Sequence, residues 1–302
     1  MAQPVQNVFH ALDQALAAAV AVAGPSVVQV ARGHGNAGTG ITWADDLVIT
    51  SSFHAPDRTT VGIAGVDGEV SRHDAEVIGR DPGTDVALLR VAGGGLTPAT
   101  FREVGELSVG NLTLALGRPG RTVRAQLRAI GVLGPALRTP HGGRLDRYIE
   151  SDRQIPRGFA GGPLIDADGA VIGMNTRTLL RGADLVIPTA TLRHVVGELA
   201  AHGGVRRGYL GVGAYPAQLP QAIAQLTGRA RGVLVTGVED GAPAAAAGVL
   251  VGDLIIEVAG APVDDPDGLR VVLGDRPGET VELTLVRGGT VLALSASLGS
   301  KP

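Results

Sequence analysis

The sequence predicts a mainly β protein built as two domains. Two observations carry this reading: a long succession of short apolar runs separated by Gly, Asp and Pro, and a change of pattern after a polar, Gly-containing connector near residue 203. Length agrees, because 302 residues are twice the roughly 150 expected of one domain. The elements are expected in this order. Residues 5–23 form an Ala-rich helix, stopped by Gly24-Pro25. Strand-like runs follow at 27–31, 41–43, 47–50, 61–64, 75–78, 87–91, 112–116, 125–132, 171–175 and 185–187. Many short strands between turn signals indicate a sandwich or barrel rather than alternating strands and helices. A helix over 189–201 has Thr189 or Thr191 available as its N-cap. The connector 201–206 precedes a mixed second domain, 207–302, with strands at 209–213, 232–238, 254–258, 281–287 and 291–298 and helices at 219–227, 243–247 and 267–274.

Composition narrows the function. With 44% hydrophobic and 18% charged residues the chain can bury a sizeable core. A net charge of −3 offers no basic field for nucleic acid. Arginine supplies every basic residue except Lys301, and it is scattered; only 3% of residues are aromatic, so no base-stacking platform is expected. The absence of cysteine excludes disulfides, thiolate metal sites and a Cys nucleophile. The seven histidines show no metal-ligand spacing, and His73-Asp74 reads as a solvated turn, so neither metal nor cofactor is expected. The Gly-rich stretch 35–40 lacks the Gly-Lys-Ser/Thr ending of a phosphate loop and suits a hairpin. The apolar stretch 15–23 has no Lys or Arg ahead of it and is shorter than a membrane span. No membrane span is expected, and the compartment is cytoplasmic, or periplasmic if an export signal has been removed.

The chemistry concentrates in Gly158-Phe159-Ala160-Gly161-Gly162-Pro163-Leu164. Its glycines and proline suit a tight turn whose backbone amides can cradle an oxyanion. Where a hydroxyl nucleophile would project, Ala160 carries a methyl group. Acyl transfer by serine also needs an imidazole and a carboxylate that orients it.

The first domain resembles the HtrA/Deg family of trypsin-like serine proteases, whose pattern here is Gly-Asn-Ser-Gly-Gly-Pro-Leu, followed by a turn of the type seen at Ile172-Gly173-Met174-Asn175-Thr176. The resemblance implies a trypsin-like double β-barrel over 25–200, behind an N-terminal helical segment at 1–24. It places Asp85, in Gly79-Arg80-Asp81-Pro82-Gly83-Thr84-Asp85, at the triad carboxylate, and Gly158 and Ala160 as oxyanion-hole amides. The base position falls on Phe53 or His54, in Ile49-Thr50-Ser51-Ser52-Phe53-His54-Ala55. Ungapped, Phe53 takes it, and a one-residue slip on a helix-like turn swings His54 away by about 100°. Arg207-Gly208-Tyr209-Leu210-Gly211-Val212 resembles the carboxylate-binding loop of HtrA-type PDZ domains, and Gly241-Ala242-Pro243 and Gly252-Asp253-Leu254-Ile255 follow in that family's order. Amides of Leu210, Gly211 and Val212 can form a nest for a terminal carboxylate, with Arg207 adding charge beside it.

With serine absent and Phe53 at the base position, these residues favour a pseudoprotease that binds extended peptides and protein C-termini without cleavage. Two alternatives stand: an active serine endopeptidase of protein quality control carrying a Ser-to-Ala change at Ala160, and a scaffold whose PDZ domain organises self-assembly. The resemblance also implies a trimer, although Phe9 is the sole aromatic before Gly24 to build one.

Overall fold

The computed structural model describes residues 3–31, 37–64, 69–105, 107–180, 182–274 and 276–301. The backbone divides into two compact units, Met1–Val205 and Arg206–Pro302.

In the first unit, α1 (Gln3–Ala23) ends at a 3-10 turn, Gly24–Ser26, where Pro25 cannot continue the helix. Six strands close the first barrel: β1 (Val27–Val30), β2 (Gly38–Ala44), β3 (Leu47–Ser51), β4 (Arg58–Ala64), β5 (Val70–Asp81) and β6 (Val86–Val91), in the order β1-β2-β3-β6-β5-β4. A second barrel follows. Its strands are β7 (Leu112–Gly117), β8 (Arg124–Gly134), β11 (Tyr148–Ser151), β12 (Pro163–Ile165), β13 (Val171–Leu180) and β14 (Ala183–Pro188), in the order β11-β14-β13-β12-β7-β8. Between β8 and β11 lies a small hairpin of β9 (Leu137–Arg138) and β10 (Arg144–Leu145). Closure leaves neither barrel an unpaired edge. The expected mainly β class with two barrels is what the chain adopts.

Helix α2 (Thr189–His202) follows β14 and buries Leu192, Val195, Val196 and Leu199. Neither threonine expected as its cap serves as one. Pro188 occupies the N-cap, Thr189 Oγ1 donates to Val171 O, and Thr191 Oγ1 donates to Asp146 Oδ2. Both hydroxyls are drawn into the barrel by packing, away from the helix end. At the C-terminus Gly203 takes a left-handed conformation (φ 72°) and its amide closes on Leu199 O.

Three further expectations change. Strands β11 and β12 were not anticipated, being four and three residues long and, for β12, beginning at a proline. Strand β5 runs twelve residues rather than four, because its outward-facing polar residues hide the pairing. The hairpin read over 35–40 lies partly outside the described residues; from Gly38 the chain is β2.

The N-terminal stretch needs a larger correction. The helical window Val8–Ser26, which runs from α1 into the 3-10 turn, has 19 residues and a mean hydropathy of 1.3, long and apolar enough to cross a membrane by length and composition, unlike the shorter 15–23. Signal sequences and core helices meet the same criterion. Only 11% of this window is buried. Its buried residues include Ala19 and Ala23, which join the main core of the first unit, and Gly169 leaves them room: a Cβ there would lie 2.9 Å from Ala19 O.

The second unit has a small sheet, β15 (Arg207–Tyr209) paired with the final β22 (Gly299–Lys301), and a larger one. The larger contains β16 (Val212–Gln218), β17 (Arg231–Val238), β18 (Leu254–Val258), β20 (Thr280–Arg287) and β21 (Thr290–Ser297) in that order, with β19 (Ala261–Pro262) beside β18. Helices α3 (Gln221–Thr227), α4 (Pro243–Ala246) and α5 (Pro266–Gly274) complete it, around a core of Leu210, Val233, Val235, Ile255, Leu283 and Leu285. The single strand expected over 209–213 is divided at Gly211, whose φ of 82° breaks extended pairing.

Candidate active-site cleft and peptide-binding loop

Asp85 is the centre of the best-connected polar cluster in the first unit. It sits at the end of a turn made by Asp81, whose carboxylate accepts from the amides of Gly83 (3.1 Å) and Thr84 (3.1 Å) and from Thr84 Oγ1 (2.7 Å). Asp85 itself is held at φ 59°, a left-handed conformation that aspartate tolerates better than most residues. The carboxylate is 2% exposed. Its Oδ1 accepts from Ser51 Oγ (2.8 Å), Ser52 Oγ (3.3 Å) and the Phe53 amide (3.0 Å), and its Oδ2 from Thr176 Oγ1 (2.6 Å). Buried carboxylates survive only with such partners.

The segment carrying Phe53 and His54 is a 3-10 turn, Ser52–His54, leaving β3. Phe53 turns its main chain to Asp85 and its ring outward, with 74% of the residue exposed. The side chain of His54 lies outside the described residues.

Gly158 and Gly161 have φ of 85° and 84°, the conformations that the sequence pattern required of glycine. A Cβ on Gly161 would meet Thr39 O at 2.4 Å and Thr50 Oγ1 at 2.6 Å, so this loop of the second barrel rests directly on the first. Thr39 Oγ1 donates to Gly158 O and accepts from the Arg118 amide, tightening the same seam. Asn175, fully buried, receives Gly161 N–H on its carbonyl and donates its side-chain amide to Gly162 O and Pro163 O, both at 3.0 Å. The next residue is Thr176, which holds Asp85. A continuous set of bonds therefore links the carboxylate to the loop. Ala160 is 4% exposed, and Phe159 is buried with its ring over Gly117, where a Cβ would lie 2.7 Å from it. Among the described residues the amides of Gly158 and Ala160 donate to no protein group.

Ser51, Ser52, Asp81 and Thr176 were not singled out from sequence. All four lie inside motifs of the sequence, Ser51 and Ser52 in Ile49–Ala55, Asp81 in Gly79–Asp85 and Thr176 in Ile172–Thr176, but nothing there marks them as partners of the carboxylate.

In the second unit, Tyr209, Leu210, Gly211 and Val212 form one loop. Leu210 is buried and its carbonyl accepts Ala244 N–H at 2.8 Å; Gly211 O accepts Glu239 N–H at 3.0 Å. A Cβ on Gly211 would lie 2.3 Å from that of Ala242. The amides of Leu210 and Gly211 donate to no protein group among the described residues. Tyr209 donates its hydroxyl to the Glu239 carboxylate, and Lys301 Nζ stands 3.7 Å above the tyrosine ring while pairing with Glu239. Arg207 lies in β15 opposite Lys301. The strand leaving this loop, β16, is an edge: it pairs with β17 and with no strand on its other side among the described residues. No group of three or more metal-ligating side chains occurs among the described residues.

Two family models match the chain, a trypsin-like peptidase domain over residues 38–174 and a PDZ domain over 208–298. A probable periplasmic serine endoprotease, DegP-like, from Rhizobium meliloti (strain 1021) is 32% identical over 85% of this chain and 52% of its own length. One from Ectopseudomonas mendocina (strain ymp) is 33% identical over 86% and 55%. The chain thus spans about half the length of the curated relatives it matches. Among solved structures, a serine-to-alanine form of the HtrA-type protease AlgW with a tripeptide superposes at a TM-score of 0.70 with 28% identity, over 95% of this chain and 97% of that one. The same form with a decapeptide gives 0.74 with 25% identity, covering 95% and 98%.

Proposed function

This chain belongs to the HtrA/DegP family of trypsin-like serine proteases with a PDZ domain, and from that premise we propose that it holds extended peptides and protein C-termini without cutting them. The observation that carries the proposal is the Phe53 amide on Asp85. The residue following Ser52 presents its main chain to the carboxylate that would orient an imidazole, and its side chain is phenyl. The methyl of Ala160 is the second loss. The free amides of Gly158 and Ala160 and of Leu210 and Gly211 remain as donors for a peptide carbonyl and a terminal carboxylate. In a serine protease loss of the nucleophile alone lowers kcat by about a million-fold, and further triad losses add little.

A second reading takes the chain as a serine endoprotease altered only at Ala160. Its support is the completeness of everything else around Asp85, together with relatives that are called serine endoproteases. Three proteins separate the two: Ala160→Ser, Phe53→His, and the double variant, each assayed on an unfolded casein-type substrate. Cleavage by the double variant alone supports two losses. Robust cleavage by Ala160→Ser alone overturns the non-cleaving reading and assigns the base to His54. We further propose a periplasmic location, from the apolar α1 and the compartment named for the relatives.

A further inference from the structure

Arg128 is a buried cation of the first unit that the functions above do not use. It lies in β8 and is 2% exposed. Nη2 donates to Gln126 Oε1 and to Gln154 O, both at 2.8 Å. Nε and Nη1 are sealed from solvent and have no hydrogen-bond partner among the described residues. Arginine stays charged in proteins, and this buried guanidinium has two idle nitrogens, with Asp152 and Asp184 favouring its charge only at a distance and no carboxylate hydrogen-bonded to it among the described residues. Burial, with Arg153 adding to it, holds its pKa below the usual value against the opposing carboxylates of Asp152 and Asp184.

The neighbouring carboxylates are engaged elsewhere. Asp152 accepts from the Ala129 amide at 3.3 Å and faces Arg153, while Asp184 accepts from the Ile155 amide at 2.6 Å and faces Arg177. A third idle donor stands beside the arginine: Thr113 pairs with Arg128 across the β7–β8 ladder, and its buried Oγ1 has no partner among the described residues. Directly opposed residues share one face of a sheet, with Cβ atoms about 5 Å apart. That face continues through Ala115 and Ile130, which pack with Ile155 and Phe159, to Gly117, over which the Phe159 ring lies. Thr113 is four residues from Gly117 along β7, roughly 13 Å at 3.3 Å per residue. The bond to Gln154 O ties Arg128 to the segment that runs into Gly158 and Ala160.

We propose that Arg128, with Thr113, is an anion pocket inside the second barrel, beneath the loop of Ala160, and that it takes the acidic side chain of an extended peptide lying in the cleft. The proposal rests on the peptide-holding reading above. An Asp or Glu carboxylate matches what the site lacks, an acceptor for two guanidinium nitrogens and one hydroxyl, and guanidinium–carboxylate pairing is favoured in planar geometry. Entry displaces the 154–158 segment, whose hold on Arg128 is a single carbonyl bond. A terminal carboxylate is left to the amides of the PDZ loop.

The test is binding of fluorescent decapeptides, blocked at both ends, to the full chain. One carries a single central Glu and its twin carries Gln. The Glu peptide is expected to bind about tenfold or more tightly. Arg128→Met is expected to erase that preference, so that the Glu and Gln peptides bind alike, and to raise the melting temperature of the unliganded protein, as replacing a buried charge by an apolar side chain often does. Arg128→Gln, which keeps an amide donor for Gln154 O, should erase the preference equally and covers the case in which the Met variant does not fold. Equal binding of the two peptides by the unaltered chain, or a preference that persists in both variants, overturns the acid pocket and leaves the cleft reading intact. Binding of neither peptide overturns both.

Discussion

Asp85 owes its position to side chains from both barrels. Ser51 ends β3, Ser52 opens the 3-10 turn after it and Thr176 comes from β13, so the carboxylate is a joint between the barrels. Thr176→Val removes the shortest of these bonds and is expected to cost about 1–3 kcal/mol in urea unfolding. At Gly161 two penalties coincide, a left-handed backbone and Thr39 O at 2.4 Å from any Cβ, so Gly161→Ala should destabilise by at least about 1–3 kcal/mol. The glycines of this loop were legible in sequence because only glycine meets both demands. The hydroxyls around Asp85 were not: Thr176 is 91 positions away, and nothing local distinguishes a serine that binds a carboxylate from one that faces water.

Among the elements, β16 bears most directly on function. Gly211 O and Leu219 N–H both bond toward β17's side of the sheet, so the intervening even-numbered residues, Val212, Ala214, Pro216 and Gln218, present their main chain to the free edge. Pro216 has no N–H and is tolerated there for that reason. An added strand finds donors at Val212 and Ala214 and then a gap. Pro216→Ala should therefore tighten peptides long enough to reach that position by about two- to tenfold and leave shorter C-terminal tetrapeptides unaffected, measured by calorimetry. Element by element, the sequence disclosed the strands with continuous apolar runs, such as β6. It concealed β5, where exposed polar residues alternate with buried ones, and β12, where burial is complete but only three residues long.

For the whole molecule, one route by which acid acts on stability runs through Asp253 in the second unit. Asp253 is 1% exposed, and its pKa is lowered chiefly by the hydrogen bond from Arg287, assisted by the Leu250 amide and opposed by burial. A carboxylate with a lowered folded-state pKa stabilises fully above the ordinary carboxylate range and loses that contribution as pH falls through the lowered value. Asp253→Asn should therefore lower the unfolding midpoint at pH 7, and the gap from the unaltered chain should close on acidification, followed by denaturant unfolding at a series of pH values.

Among the described residues, Arg118 has no carboxylate partner. Its Nε donates to Val27 O at 2.6 Å and its Nη2 to Gly24 O at 3.2 Å, at the exit of α1, while its own amide bonds Thr39 Oγ1, which in turn bonds Gly158 O. The apolar helix and the cleft are thus mechanically in series. Tension applied through α1, as when that helix is embedded in a bilayer and the rest of the chain is loaded by a captured polypeptide, passes through four consecutive hydrogen-bonded residues into the carbonyl of Gly158.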